Sequence, residues 1–283
     1  MTEGRQVLVS VTGVTKQYTV PSGWFRRAKL DAIRGVDLEI NRGEIVALVG
    51  ESGSGKSTLG RILVRLTKAT SGEVLFDGVD VNRLDGRKLR EYRKRVGIVF
   101  QNPYRSLSAR MTVGELIAEP LRVWKVVPRK QVPHEVARLL DGVALPPSLA
   151  SRHPHELSGG QRQRVAIARV LSVRPEFLVA DEAVSALDVS AAAGIINLLL
   201  DLRANLGLTG LFATHDLSVA GILADRIAVM NKGEIVEIGT PTELLSNPTH
   251  PYTKLLVSSQ LRVDKDAEPV QEDALEAAEV DGR

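Results

Sequence analysis

Nine consecutive residues carry the strongest chemical signal in the chain: Gly50, Glu51, Ser52, Gly53, Ser54, Gly55, Lys56, Ser57 and Thr58. They fit the pattern G-x-x-x-x-G-K-[ST] and lie between an apolar run, Ile45 to Val49, and a helical pattern, Leu59 to Leu66. Glycines at these places let the backbone curl until successive N–H groups face one point, where a phosphate chain can sit. A helix that begins near Gly55 adds the positive end of its dipole to the same point. The Lys56 ammonium is then placed to reach the β- and γ-phosphates, and the Ser57 hydroxyl to bind Mg²⁺. The stretch predicts a nucleoside-triphosphate site.

Four more side chains stand at the ends of apolar runs. Phe177 to Ala180 ends in Asp181, suited to a second Mg²⁺ anchor, and Glu182, suited to polarise an attacking water as general base. Val96 to Phe100 ends in Gln101, which can touch both Mg²⁺ and that water, and Leu211 to Thr214 ends in His215. Ligands of open α/β sheets gather at the carboxyl ends of strands, so the placement is chemically coherent. A second glycine turn, Leu157-Ser158-Gly159-Gly160-Gln161, opens a helical pattern of Val165, Ile167, Ala168 and Leu171. It is a second helix N-terminus suited to phosphate. One phosphate does not easily sit on two distant helix N-termini of one chain, so this turn predicts a phosphate supplied from elsewhere. Tyr18 has two open readings: a ring that stacks on adenine, worth about 1–3 kcal/mol per base in other systems, or a half-buried strand tyrosine. The remaining histidines, His134, His153, His155 and His250, lack metal-ligand spacing and read as structural or solvated.

These groups need a frame. A chain of 283 residues suggests about two structural units at roughly 150 residues each. Hydrophobic content of 43% with 25% charged residues is that of a globular protein with a sizeable core. The net charge of +3 is spread without a basic stripe, which argues against nucleic acid as a partner. Cysteine is absent, so disulfides and cysteine-held iron–sulfur clusters are excluded. The first residues do not read as a signal peptide, and no apolar run approaches 18 residues, which predicts a cytoplasmic protein that does not itself cross a membrane. Strands are expected over Gln6–Val14, Ala32–Ile40 and Glu73–Gly78, with Pro21–Arg27 as a solvated hairpin connection. The proline-punctuated stretch from Thr112 to about Ser151 reads as an inserted helical subdomain. The acidic segment from Arg262 onward reads as a flexible tail, with a short helix over Asp273–Val280.

Taken together the motifs resemble those of ABC transporter nucleotide-binding subunits, and the match runs from Tyr18 to His215. Gly50–Thr58 is similar to the family's Walker A, Val99-Phe100-Gln101 to its Q-loop and Leu157–Gln161 to its signature. Phe177–Glu182 resembles Walker B, Ser185–Asp188 the D-loop, and Thr214-His215-Asp216 the switch histidine. One departure is Ala183, where many relatives carry proline; its side chain performs no chemistry. Within the family, Val99–Tyr104 with Ser106-Leu107 and Arg110–Val113, His153-Pro154-His155-Glu156 and above all Asn247-Pro248-Thr249-His250-Pro251-Tyr252-Thr253-Lys254-Leu255-Leu256 resemble the peptide and nickel importer branch. So does the Phe25-Arg26-Arg27 loop.

The resemblance implies an α/β fold: a P-loop NTPase core with a mixed sheet, an N-terminal antiparallel β-subdomain and an inserted helical subdomain at about 103–170. The ATPase domain is expected over 1–261, with a branch-specific C-terminal motif at about 240–261 and the tail over 262–283. ATP with Mg²⁺ is the implied ligand, and the second ATPase subunit is usually a different chain in this branch. Two such subunits would sandwich two ATP molecules, Ser158, Gly159, Gly160, Gln161 and Asp188 of one meeting the phosphates held by the other. Two membrane permease subunits and, indirectly, an extracytoplasmic binding protein complete the implied assembly, on the cytoplasmic face of the membrane. Dipeptide or oligopeptide import is the leading function, nickel-chelate uptake by the same engine an alternative. A soluble ABC-type ATPase acting on DNA or ribosomes is a rival, but the doubled ATPase unit or coiled-coil insertion of such proteins is not visible. A regulatory subunit with a dead site is another, opposed by Lys56, Gln101, Asp181, Glu182 and His215 all being present.

Overall fold

Five consecutive apolar residues, Ile45 to Val49, are all buried, as a strand covered on both faces requires. They form β3 in a chain that runs β1 (Val7–Ser22), β2 (Arg26–Asn41), β3 (Ile45–Val49), α1 (Lys56–Leu63), β4 (Ser71–Phe76), β5 (Val79–Asp80) and α2 (Gly86–Arg95). Next come β6 (Val96–Val99), α3 (Pro103–Ser106), α4 (Val113–Val123), α5 (Val132–Asp141), α6 (Gly159–Leu171), β7 (Phe177–Asp181), α7 (Val189–Leu206) and β8 (Thr209–Thr214). The last elements are α8 (Leu217–Leu223), β9 (Arg226–Asn231), β10 (Glu234–Gly239), α9 (Pro241–Ser246) and α10 (Pro251–Asp266). The computed structural model describes residues 6–22, 26–185 and 187–266.

Two sheets form. One, in the order β2-β1-β4-β5, is antiparallel throughout. The other has the order β10-β9-β3-β8-β7-β6; its strands from β9 to β6 are parallel, and only β10 runs against its neighbour. Side chains of the mixed sheet alternate between two cores, as the strand period of two demands. Val46, Leu48, Val179 and Leu211 pack with Val9, Ile40 and Phe76 of the antiparallel sheet. Ala47, Val49, Ala180 and Phe212 join Leu116, Leu139 and Ile167 of the helices on the other side. The fold is the expected α/β architecture with a mixed sheet, an antiparallel N-terminal sheet and helices α3 to α6 inserted between β6 and β7.

Several boundaries differ from those read in the sequence, and β4 already starts at Ser71 rather than Glu73. β1 continues to Ser22 and β2 starts at Arg26, so the hairpin is longer than its alternation suggests. The register shifts between Val11 and Val14, where Gly13 takes a φ of +56°, and that bulge breaks the apolar–polar alternation without ending the pairing. Residues 23–25 of the expected hairpin connection lie outside the described residues. At the other end α10 runs through Asp266, past the expected tail boundary, while 267–283, including the expected helix over Asp273–Val280, lie outside them. Among the described residues no helix is long and apolar enough to cross a membrane.

Candidate nucleotide site

The parallel order β3-β8-β7-β6 brings four strand ends side by side, and each delivers one of the expected groups. β3 leads into the glycine loop and α1, β7 ends in Asp181 and Glu182, β8 leads to His215, and β6 to Gln101. Two glycines in the loop are sterically required. A Cβ on Gly50 would lie 2.1 Å from the Met230 carbonyl oxygen, so the loop can pass β9 only without a side chain. Gly55 holds a φ of +113°, and a Cβ there would lie 2.6 Å from the Ala32 carbonyl oxygen of β2. Gly55 is the N-cap of α1, and no side chain caps that helix. Its first amides are therefore available to an anion at the positive end of the helix dipole.

Lys56 is 3% exposed, and its ammonium donates to the carbonyls of Gly50 (2.6 Å) and Glu51 (2.9 Å). Its Nζ also stands 3.9 Å from Glu182 Oε1. Burial pulls the lysine's pKa below its ordinary value, while the carboxylates of Glu182, Asp181 and Glu51 hold it up. The Ser57 hydroxyl donates to Asp181 Oδ1 at 2.7 Å. Asp181 is 4% exposed, and burial raises its pKa against the Ser57 hydrogen bond and nearby cations. Gln101 Nε2 donates to Glu182 Oε2 at 2.7 Å and to Ser185 Oγ at 3.3 Å. Glu182 still pairs its N–H with the Ala213 carbonyl of β8 (2.9 Å), then turns through a φ of +48°. Ser57, Arg61, Phe100, Gln101, Asn102, Ser106 and Asp181 line a cavity of about 340 Å³ beside these groups.

The second glycine turn lies elsewhere. Ser158 caps α6: its Oγ accepts from the Gln161 N–H (3.2 Å), and Gln161 Oε1 accepts from the Ser158 N–H (3.0 Å). Gly159 and Gly160 pack under the segment that opens α7; a Cβ on Gly160 would meet Ala191 Cβ at 3.0 Å and one on Gly159 would meet Leu187 at 3.4 Å. Asp188 caps α7 through Oδ1 and the Ala191 N–H (2.9 Å). His215 is exposed between β8 and α8. Tyr18 sits half-buried on β1 opposite Leu30, with the Lys16 ammonium 4.9 Å from its ring centre. That is the strand-tyrosine reading; the ladder also runs close to the loop, because Ala32 and Ile33 of β2 border Gly55.

Sequence reasoning gave Tyr252 and Ser185 no contact at the site, although Ser185 opens the Ser185–Asp188 stretch. The Ser185 contact could have been suspected from its place three residues after Glu182. Tyr252 could not: its hydroxyl accepts the Glu51 N–H at 3.1 Å across 201 residues of sequence.

A profile described as ABC transporter matches residues 33–185, and one described as oligopeptide/dipeptide transporter, C-terminal region, matches 236–281. The chain is 46% identical, over 92% of its length and 80% of the other, to a Brucella ovis protein described as a peptide import ATP-binding protein. It is also 46% identical to the glutathione import ATP-binding protein GsiA of Shigella flexneri serotype 5b, over 91% of this chain but 41% of that protein. Among solved structures, the dimeric ATP-binding cassette MJ0796 in a post-hydrolysis state bound to ADP and Pi aligns with a TM-score of 0.74. The two are 34% identical, covering 83% of this chain and 99% of that one. The Clostridium perfringens cbiO1, part of the ABC transporter complex cbiONQ, also aligns at 0.74, with 28% identity over 92% and 97% of the two chains. Motifs, fold and relatives agree: the chain belongs to the ABC transporter family of ATP-binding subunits, and it carries that family's oligopeptide/dipeptide transporter C-terminal region.

Proposed function

We propose that the chain is the ATP-hydrolysing subunit of a peptide importer, working as one half of an ATPase pair beneath two membrane permease subunits. The observation that carries the chemistry is the meeting of Lys56, Ser57, Asp181, Glu182 and Gln101 at one edge of the mixed sheet. The loop amides and Lys56 hold the β- and γ-phosphates; Lys56 exchanges its two carbonyl acceptors for phosphate oxygens. Glu182 takes the proton of the attacking water, and Gln101, hydrogen-bonded to it, fixes its carboxylate. His215 reaches the γ-phosphate from the end of β8 and orients the water.

The donor set Ser57 hydroxyl, Asp181 carboxylate and Gln101 amide oxygen is all oxygen with one formal charge, which fits Mg²⁺ shared with a substrate's phosphates. Among the described residues no cluster of three or more His, Cys, Asp or Glu forms a self-sufficient cage. When bound, the ion neutralises charge developing on the phosphate oxygens.

Ser158, Gly159, Gly160, Gln161 and Asp188 serve the site of the opposite subunit. Ser158 Oγ already accepts the Gln161 N–H, so its own proton is free for a phosphate oxygen. Tyr18 supports the adenine from β1. The Gln101 cavity lies at the root of the helical subdomain, which supports a coupling role toward the membrane subunits. Peptide-class cargo is supported by the C-terminal region and by relatives named for peptide and glutathione import.

The test is to purify the chain with its membrane partners in detergent, reconstitute them, and measure Mg²⁺-dependent ATP hydrolysis with peptide uptake. Recovery with ribosomes or DNA and never with membrane protein would overturn the transport reading. Hydrolysis coupled to nickel-chelate but not peptide uptake would overturn the cargo.

A further inference from the structure

Tyr252 stands at the start of α10, in the C-terminal region, yet its hydroxyl accepts a hydrogen bond from the Glu51 N–H inside the phosphate loop (3.1 Å). The Glu51 carbonyl is gripped from the other side by the Lys56 ammonium at 2.9 Å. The residue is thus held at both of its backbone polar groups, and Tyr252 is the holder from outside the loop.

The tyrosine is itself braced. Glu237 on β10 gathers the turn before α10: its Oε1 accepts from the Thr249 N–H (2.7 Å) and hydroxyl (2.8 Å), and its Oε2 from the His250 N–H (3.1 Å). His250 Nδ1 then accepts the Tyr252 N–H at 3.2 Å. A continuous hydrogen-bonded path therefore runs from the edge of the mixed sheet, through the Thr249–His250 turn, to the phosphate loop. Burial pushes the Tyr252 phenol's pKa upward while the Glu51 N–H bond lowers it, leaving the hydroxyl neutral.

We propose that Tyr252 is a positioning residue for the nucleotide: the C-terminal region acts as a strut whose phenol pre-sets the Gly50–Glu51 peptide and so tunes affinity for ATP. A glycine-rich loop fixed in its binding shape spends less conformational freedom when the phosphates arrive. The contact lies at the protein surface, where water replaces a lost acceptor. Its removal therefore spares the fold and weakens ligand binding. The strut rests on the assignment of the Gly50–Thr58 loop as the ATP site.

The decisive variant is Tyr252→Phe in the full chain, which deletes one oxygen and leaves the ring. Its Kd for magnesium ATP is expected to rise about three- to tenfold, the scale of one net hydrogen bond. KM should rise with it, while kcat at saturating ATP and the melting temperature of the nucleotide-free protein stay at wild-type values. Glu237→Gln, which loosens the brace, should raise Kd in the same direction, and adding it to Tyr252→Phe should weaken binding little further. Wild-type affinity in Tyr252→Phe overturns the proposal, as does a loss of affinity matched by a fall in melting temperature. Lys56→Ala tests the underlying site separately: if it binds magnesium ATP as wild type does, the loop is not the nucleotide site and the fault lies there.

Discussion

Glu182→Gln separates charge from shape at the reacting end of the site. Gln101 Nε2 donates to Glu182 Oε2 at 2.7 Å, and a glutamine side chain offers an amide oxygen at the same place. The local hydrogen bond survives, but the buried Lys56 ammonium loses a charge partner, so the nucleotide-free protein should lose about 1–4 kcal/mol of stability while remaining folded. What is lost is the basic carboxylate. A positioned general base contributes typically about 10²–10⁴-fold, so kcat should fall by at least about 10², equivalent to about 2.7 kcal/mol of barrier. Affinity should move the other way. The carboxylate lies 3.9 Å from the Lys56 ammonium. At an effective dielectric of about 20 that pair attracts by about 4 kcal/mol. The charge that holds the lysine also repels an incoming γ-phosphate. Its removal frees Lys56 for the nucleotide, so Kd for magnesium ATP should hold or tighten. Phosphate release at saturating ATP and equilibrium nucleotide binding measure the two effects. Turnover within about threefold of wild type would refute the base assignment, and a large loss of affinity would refute the electrostatic argument.

Three other outcomes follow from the geometry. Gly55→Ala places a methyl 2.6 Å from the Ala32 carbonyl oxygen at a φ of +113°, so it should cost about 2–4 kcal/mol in urea unfolding and abolish nucleotide binding. Ser158→Asp keeps an N-cap of equal quality for α6 but sets a negative charge where phosphate is expected; melting should hold while ATPase activity of the assembled pair collapses, whereas normal turnover would remove Ser158 from the partner's site. Partial burial raises the Glu237 pKa, but hydrogen bonds from Thr249 and His250, with the Thr253 hydroxyl nearby, outweigh it and bring the group to about 2 from an ordinary 4.5. A depressed carboxylate stabilises above its unfolded pKa, so this contribution should fade as pH falls from about 4.5 toward 2, and Glu237→Gln should show less acid sensitivity than wild type in denaturant titrations.

Much of the site is legible because its chemistry is local in sequence. The loop pattern contains both the glycines and Lys56. The carboxylates, Gln101 and His215 are flagged by the same cue, a polar residue closing an apolar run, and the parallel sheet turns four such closures into neighbours. The second glycine turn is legible as a helix start, and the capping box between Ser158 and Gln161 bears that out. What escapes is held by contacts between distant segments. The reason Gly50 must be glycine is the Met230 carbonyl 180 positions later, and no pattern near Gly50 announces it. The length of the β1–β2 hairpin is hidden by the bulge at Gly13, which scrambles alternation while backbone pairing continues. The Asn247–Thr253 stretch is recognisable as a motif, but its task is not, because a threonine–histidine turn reads alike whether it braces a helix or faces water.

The hydrogen bonds at the sheet edge also say what ATP must compete with. Lys56 is satisfied by two carbonyls of its own loop, Ser57 by Asp181, and Glu182 by Gln101. On the proposed function nucleotide and ion replace these bonds rather than add to them, so affinity measures a difference between two well-paired states, not the strength of the new contacts alone. In such an exchange the groups that do not change partners set the balance. The Glu51 N–H is held by Tyr252 from outside the loop, and Gly55 runs so close to Ala32 of β2 that no Cβ fits between them. On the proposed strut, a loop held at Glu51 trades the lysine's acceptors without rebuilding its backbone. The strut proposal therefore expects a single phenol oxygen in the C-terminal region to register in nucleotide affinity while leaving the proposed base, Glu182, untouched.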